Sequence, residues 1–262
     1  MLWIEANGAS LRYALSGAGE RVVVLIHEIG GAIESWDESL PNFEEHFRVL
    51  RYDQRGFGMS EKTRVITLES CAADLAALLD ALAISTPVFL AASAMGAAIA
   101  IDFAVRHPGR VAGMVISSPA TGALPAAALQ GMEARIDAVA AGGMRATVDT
   151  SLQKSYPEAL RVDTARFVRY RHRWMSNDPA GFSAISRLAG TMDLHPALPK
   201  IQCPTLVIGC THDVIRPPEQ ARSIAEQIPG ARFETAESGH FMAVQTPALF
   251  AKHVIDFFAQ AR

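Results

Sequence analysis

Apolar residues along this chain alternate between short continuous runs and longer stretches with helical spacing. Residues 21–27, RVVVLIH, are apolar almost throughout, as a strand buried on both faces of a sheet requires. Residues 48–52, 87–92, 111–117, 205–209 and 232–235 read as further strands, and 3–5 with 11–15 read as an opening hairpin. Between them, residues 68–82, 95–106, 217–227 and 247–259 repeat their apolar positions every three to four residues, as helices do. Such alternation implies right-handed crossovers. It predicts an α/β fold with a mostly parallel, eight-stranded sheet and helices on both faces.

One stretch breaks the alternation. Residues 120–198 carry helical patterning and no convincing strand, punctuated by Gly142-Gly143, Pro157 and Asp178-Pro179. A helical block between two strands of a parallel sheet is an insertion. It is expected to lie over the carboxyl ends of the strands, where such sheets place their sites. The chain therefore divides into a core, 1–119 with 199–262, and a helical cap, 120–198.

The candidate chemistry sits in the turns after the predicted strands. Residues 92–96 read Ala92-Ser93-Ala94-Met95-Gly96. Small residues two positions either side of a central residue, between a strand and a helix, form a nucleophile elbow. Here the central residue is Ala94, so the elbow has no nucleophile. Ser93 is one residue out of register: with Ser93 at the tip, Met95 would occupy the crowded place that Gly96 suits. The glycine-rich turn His27-Glu28-Ile29-Gly30-Gly31 can point backbone N–H groups into the site, and the amides of Ile29 and Met95 are the expected oxyanion donors. Glu28 is out of character there, because a carboxylate beside such a hole opposes the developing charge. Asp213 follows the penultimate strand and His240 the last, and the order 94, 213, 240 is that of nucleophile, acid and base. The loop from Asp53 to Ser60 reads as structural, with Asp53 and Arg55 expected to pair across it. Trp174 and Phe241 are expected to supply apolar walls for the substrate, beside Glu28.

Bulk properties narrow the classes. The 262 residues suit one large domain with an insertion, and 50% hydrophobic residues suffice for a buried sheet. A net charge of −3 offers no basic field for nucleic acid, and no apolar run approaches a membrane span. The N-terminus lacks the layout of a signal peptide, and Cys71, Cys203 and Cys210 are an odd number. Reduced thiols in a cytoplasm are the expectation. No Cys or His spacing suggests a metal, and no cofactor is expected.

Together the motifs HEIGG, DQRGFGMS, AASAMGAA, CPTLVIGCTHD and ESGHF resemble the α/β-hydrolase superfamily, from about residue 10 to the end. Within it the chain is most similar to the 3-oxoadipate enol-lactonase-like group. The segments HFRVLRYDQRGFGMS, residues 134–144, Asn177-Asp178-Pro179 with Gly181-Phe182, and VIGCTHD carry that likeness. The resemblance implies a small capped enzyme that opens esters or lactones without a cofactor, with nucleophile position 94, acid Asp213 and base His240. Two residues depart from it, Ala94 and Glu28. Three readings follow. The chain is a serine-type hydrolase of a small ester or lactone in a nucleophile-disabled Ala94 form; or it is a small-ligand binding protein; or His240 and Asp213 work as a base without a nucleophile. Ester, lactone, amide and carbon–carbon cleavage share this machinery, and a homodimer is compatible with the sequence.

Overall fold

The computed structural model describes residues 1–260. Eight strands form one sheet: β1 (Leu2–Ala6), β2 (Ala9–Ser16), β3 (Val22–Ile26), β4 (Arg48–Tyr52), β5 (Val88–Ser93), β6 (Val111–Ser117), β7 (Thr205–Cys210) and β8 (Arg232–Ala236). Ten helices accompany them: α1 (Leu40–Glu44), α2 (Leu68–Ala81), α3 (Met95–Arg106), α4 (Ala126–Gly142), α5 (Val148–Ser155), α6 (Thr164–Met175), α7 (Pro179–Thr191), α8 (Pro218–Gln227), α9 (Met242–Gln245) and α10 (Pro247–Gln260). The spatial strand order is β1-β2-β4-β3-β5-β6-β7-β8. The first hairpin and the β2–β4 pair are antiparallel, and every other pair is parallel.

The sequence pattern explains the layering. All five residues of β3 and all six of β5 are buried, so both faces need a cover. One face is covered by a large cluster that includes Leu75, Leu79, Ile99, Phe103 and Ile224 from α2, α3 and α8. The other is covered by Phe43, Phe47, Phe250, Val254 and Phe258 from α1, the loop after it and α10. At about 25 cal/mol per Å² of apolar surface removed from water, these two layers are the main source of stability.

The strand order reverses at β3. From β3 the chain moves outward to β4, then crosses back to β5 on the other side of β3. Ligands of open α/β sheets bind at such a switch point, outside the carboxyl ends of the strands. The HEIGG turn follows β3 and the elbow follows β5, so both border that crevice. Helices α4 to α7 lie between β6 and β7 in the chain and add no strand to the sheet.

One expected contact is different. Asp53 does not pair with Arg55. Arg12 of β2 donates to Asp53 Oδ2 at 3.1 Å, and Arg55 pairs instead with Asp74 of α2. Asp53 is fully buried and also accepts from the amides of Ile33 at 2.7 Å and Met59 at 2.8 Å. The loop carboxylate thus faces inward to fasten two neighbouring turns, while the arginine two residues on faces the helix.

Candidate active site

Ala94 caps the N-terminus of α3 with φ 51° and ψ −113°. A positive φ is uncommon for a residue with a Cβ and costs on the order of 1–3 kcal/mol. The turn is fixed from both sides. The Ala94 amide donates to Ser117 O at 3.0 Å, and its carbonyl accepts from Ala97 at 3.2 Å and Ala120 at 3.3 Å. Gly96 then passes so close to β3 that a Cβ there would strike the Ile26 carbonyl and sit 2.6 Å from that of His27. Only glycine fits, which fixes the register of the elbow. Ser93 faces elsewhere: its hydroxyl accepts from Ser117 Oγ at 3.1 Å and lies 3.5 Å from the His240 carbonyl.

His240 and Asp213 meet across the ends of β7 and β8. Nδ1 of His240 lies 2.8 Å from Asp213 Oδ2. The other carboxylate oxygen accepts from the amides of Ile215 at 2.8 Å and Arg216 at 2.9 Å. Burial alone pushes the Asp213 carboxyl up. The neighbouring His240, its hydrogen bond and the Arg216 amide outweigh this and hold it below the usual value. An ionised Asp213 fixes the imidazole with its proton on Nδ1, leaving Nε2 free to accept one.

The turn after β3 supplies amide groups. Gly30 has φ 78°, a conformation glycine takes readily. Among the described residues neither the Ile29 nor the Met95 N–H finds a hydrogen-bond acceptor. His27 anchors the turn: its Nε2 accepts from the Gln54 amide at 3.0 Å, and its carbonyl accepts from the Gln54 side chain at 2.6 Å.

The inserted helices cover this ground with aromatic side chains. Ala94, Tyr156, Tyr170, Trp174, Phe182, Phe241 and Val244 belong to one buried cluster. Trp174 lies against Gly30, where a Cβ would meet its ring at 2.5 Å, and its ring centroid is 5.9 Å from that of Phe241. Phe241 stacks beside His240 at 4.9 Å. Asn177 fastens the roof to the turn by donating to the Gly30 carbonyl at 3.0 Å. Asp178 then caps α7 by accepting from the Gly181 amide at 2.7 Å, with Pro179 at the first helical position. A cavity of about 570 Å³ opens beside the roof, lined among others by Ser35, Arg173, Ala243 and Val244.

The structure thus brings Ala94, Ile29, Met95, Trp174, Phe241 and His240 with Asp213 to the carboxyl end of the sheet. Glu28 is buried behind the turn, where Ser35 Oγ donates to its Oε1 at 2.9 Å. Tyr156, Tyr170 and Ser35 were not singled out from the sequence, and Asn177 was named there only for the family likeness. Tyr170 was the findable one: with Trp174 it makes two aromatics four apart in a segment otherwise rich in arginine, which marks a buried helical stripe. Burial, then the nearby Glu28 charge, pushes the Tyr170 phenol well above its ordinary value, so it stays protonated. Among the described residues no group of three His, Cys, Asp or Glu could hold a metal ion, and no helix is long and apolar enough to cross a membrane.

The family model described as serine aminopeptidase, S33, matches residues 17–241. The chain is 24% identical to 3-oxoadipate enol-lactonase 2 of Acinetobacter baylyi over 256 residues, 97% of this chain and 94% of that protein. Its structure superposes on the enol-lactonase of Burkholderia xenovorans with a TM-score of 0.92 at 27% identity, covering 99% of this chain and 100% of the other. It also matches a hydrolase of Pseudomonas aeruginosa with a TM-score of 0.90 at 31% identity, over 98% and 97% of the two chains.

Proposed function

Because the chain belongs to the α/β-hydrolase superfamily, within the serine aminopeptidase S33 family, we propose that its pocket is that of a small carboxylic ester or lactone hydrolase lacking its nucleophile, with Ala94 standing where a serine attacks. The observation that carries this reading is the strained elbow at Ala94 (φ 51°) coupled to a buried His240–Asp213 pair at 2.8 Å. An elbow with no use for its tip gains nothing from a positive φ at alanine.

The roles follow from the geometry. A hydroxyl at position 94 would attack the ester or lactone carbonyl and pass its proton to Nε2 of His240. Asp213 would hold the imidazole and stabilise its cation. The free amides of Ile29 and Met95 would receive the oxyanion, a contribution worth on the order of 10²–10³ in rate for each donor. Water activated by His240 would then release the acyl group. Residues 120–198 act as a cap, with Trp174 and Phe241 as apolar walls. With Ala94 no acyl-enzyme forms, and acceleration is limited to roughly 10³–10⁴ over the uncatalysed reaction, from binding and the hole. Activity as an enol-lactonase is a property of the named relatives and supports lactones as the first compounds to try.

The test compares this chain with its Ala94→Ser variant on an activated acetate ester and a panel of lactones and enol-lactones. The variant is expected to be faster by at least about 10³-fold, given that removing the nucleophile of a complete triad costs on the order of 10⁶. Two folded proteins of equal rate would refute the reading. Oxygen uptake or carbon–carbon cleavage by the unaltered chain would then favour base chemistry by His240 alone.

A further inference from the structure

The end of β6 lies between all three positions of the proposed machinery. The Ser117 carbonyl accepts from the Ala94 amide at 3.0 Å. The Ser117 hydroxyl donates to Ser93 Oγ at 3.1 Å, and that oxygen lies 3.5 Å from the His240 carbonyl. The acid is reached by the next residue, Ser118, whose hydroxyl faces the Asp213 carboxylate and the Cys210 thiol.

Ser118 stands where a serine is costly. It is fully buried and has φ 48°, in the left-handed region that favours glycine. Its amide donates to the Ile208 carbonyl at 3.0 Å, one residue beyond the Ser117–Ile208 pair of the β6–β7 ladder, so the turn is fixed. Glycine would hold this turn with less strain, and a side chain kept there at that cost has a use. Its hydroxyl is not aligned for a full hydrogen bond with either neighbour, yet a buried hydroxyl requires one and its hydrogen turns to suit. Of the two groups in reach, burial pushes the Cys210 thiol up to about 12, so it stays protonated and is a weak acceptor. An ionised carboxylate is the strong one.

Asp213 has room for a further donor. Its Oδ2 meets His240 Nδ1, and its Oδ1 takes the amides of Ile215 and Arg216. That makes three donors where a carboxylate offers about four lone-pair sites. Resting on the reading of the pocket as an ester or lactone site, we infer that Ser118 is a positioning residue of that site: its hydroxyl donates to Asp213 and holds the acid in place against the imidazole. It touches no reacting atom and acts on His240 only through Asp213.

The test reads the acid before any ester. Carbon-13 NMR of the unaltered chain, labelled at aspartate, follows the Asp213 carboxyl as the pH falls. His240, the Arg216 guanidinium and the Cys210 thiol flank that carboxyl and stay in place in both variants used. Ser118→Ala removes the hydroxyl and keeps the Cβ. Ser118→Gly also relieves the strain, and serves should the first fail to fold. Either is expected to raise the Asp213 midpoint by about one pH unit, because a donor to the charged form is gone. An unmoved midpoint overturns the inference and leaves the ester site standing. In the Ala94→Ser background, Ser118→Ala is expected to lower kcat about tenfold at unchanged KM. With Asp213→Asn also present, the same substitution is expected to change kcat by less than about twofold. An equal loss with and without Asp213→Asn would make the hydroxyl a packing group and overturn the inference. No hydrolysis of any panel compound by Ala94→Ser removes the ester-site reading, and the positioning role with it.

Discussion

Among the carboxylates buried at the carboxyl end of this sheet, Asp213 at 3% exposure and Glu28 at 1% are held in different ways. Asp213 has both oxygens occupied, one by His240 and one by two backbone amides. Glu28 has one oxygen on the Ser35 hydroxyl, and the Tyr170 phenol lies beside the carboxylate. A protein supplies partners from its own chain when a buried charge has a fixed structural or orienting task. Asp213 therefore reads as machinery assembled around an imidazole, and Glu28 as a side chain held among hydroxyl groups.

The largest expected effect tests the assembled half. In the Ala94→Ser background, Asp213→Asn should lower kcat by about 10⁴, because an amide no longer enforces the tautomer that leaves Nε2 able to accept a proton. A loss of less than about tenfold would show that His240 is oriented by something else. The same substitution in the unaltered chain should cost about 1–3 kcal/mol of stability, through a charged acceptor lost to two amides and an imidazole. The pH dependence has a definite sign. The Asp213 carboxyl is held below its ordinary value, so its stabilising contribution is full above the unfolded pKa of about 4 and disappears as the pH falls through the lower folded value. The gap in Tm between the two proteins should be widest near neutrality and close in acid. A gap independent of pH would mean that the charge of Asp213 is not what stabilises the fold.

The sequence announced the assembled half far better than the other. Asp213 follows the apolar strand β7 and His240 the last strand, so pattern alone puts them at the sheet's carboxyl end; the elbow register follows from Gly96, where no side chain fits. The central strands were legible for the same reason, since fully buried strands are continuous apolar runs, whereas the edge strands β1 and β8 are largely exposed and show only as short β-prone segments. The state of Glu28 was not. Whether a carboxylate faces a cation, a hydroxyl or nothing depends on residues brought from afar, and Tyr170 lies 142 positions further along the chain. Arg55 was misassigned for that reason: its partner Asp74 comes from α2, not from the local loop.

A smaller effect sharpens the contrast at Glu28. If its charge opposes negative charge in the pocket, Ala94→Ser with Glu28→Gln should hydrolyse neutral esters about tenfold faster than Ala94→Ser alone, roughly 1.4 kcal/mol of oxyanion stabilisation recovered. Thermal melting should move little or upward, because an amide keeps an acceptor for Ser35 and removes a buried charge. A slower double variant would mean that the carboxylate assists acyl transfer, and the distinction between the two carboxylates would fail.

The smallest effect concerns the elbow that both carboxylates flank. Ala94 holds φ 51° and ψ −113° with its amide and carbonyl both engaged, so its backbone cannot relax. Ala94→Gly removes the Cβ that makes this conformation costly, a relief on the order of 1–3 kcal/mol. It also loosens the unfolded chain, which takes back roughly 0.4–1 kcal/mol, and it forfeits one methyl packed under the aromatic roof. The balance favours glycine by up to about 1 kcal/mol, or a rise of roughly 2–4 °C in Tm for a chain of this size. An alanine kept where glycine is more stable is what an elbow shaped for a side chain leaves behind. A fall in Tm would mean that the methyl's packing against Trp174 and Phe241 outweighs the strain, and that alanine suits this turn in its own right.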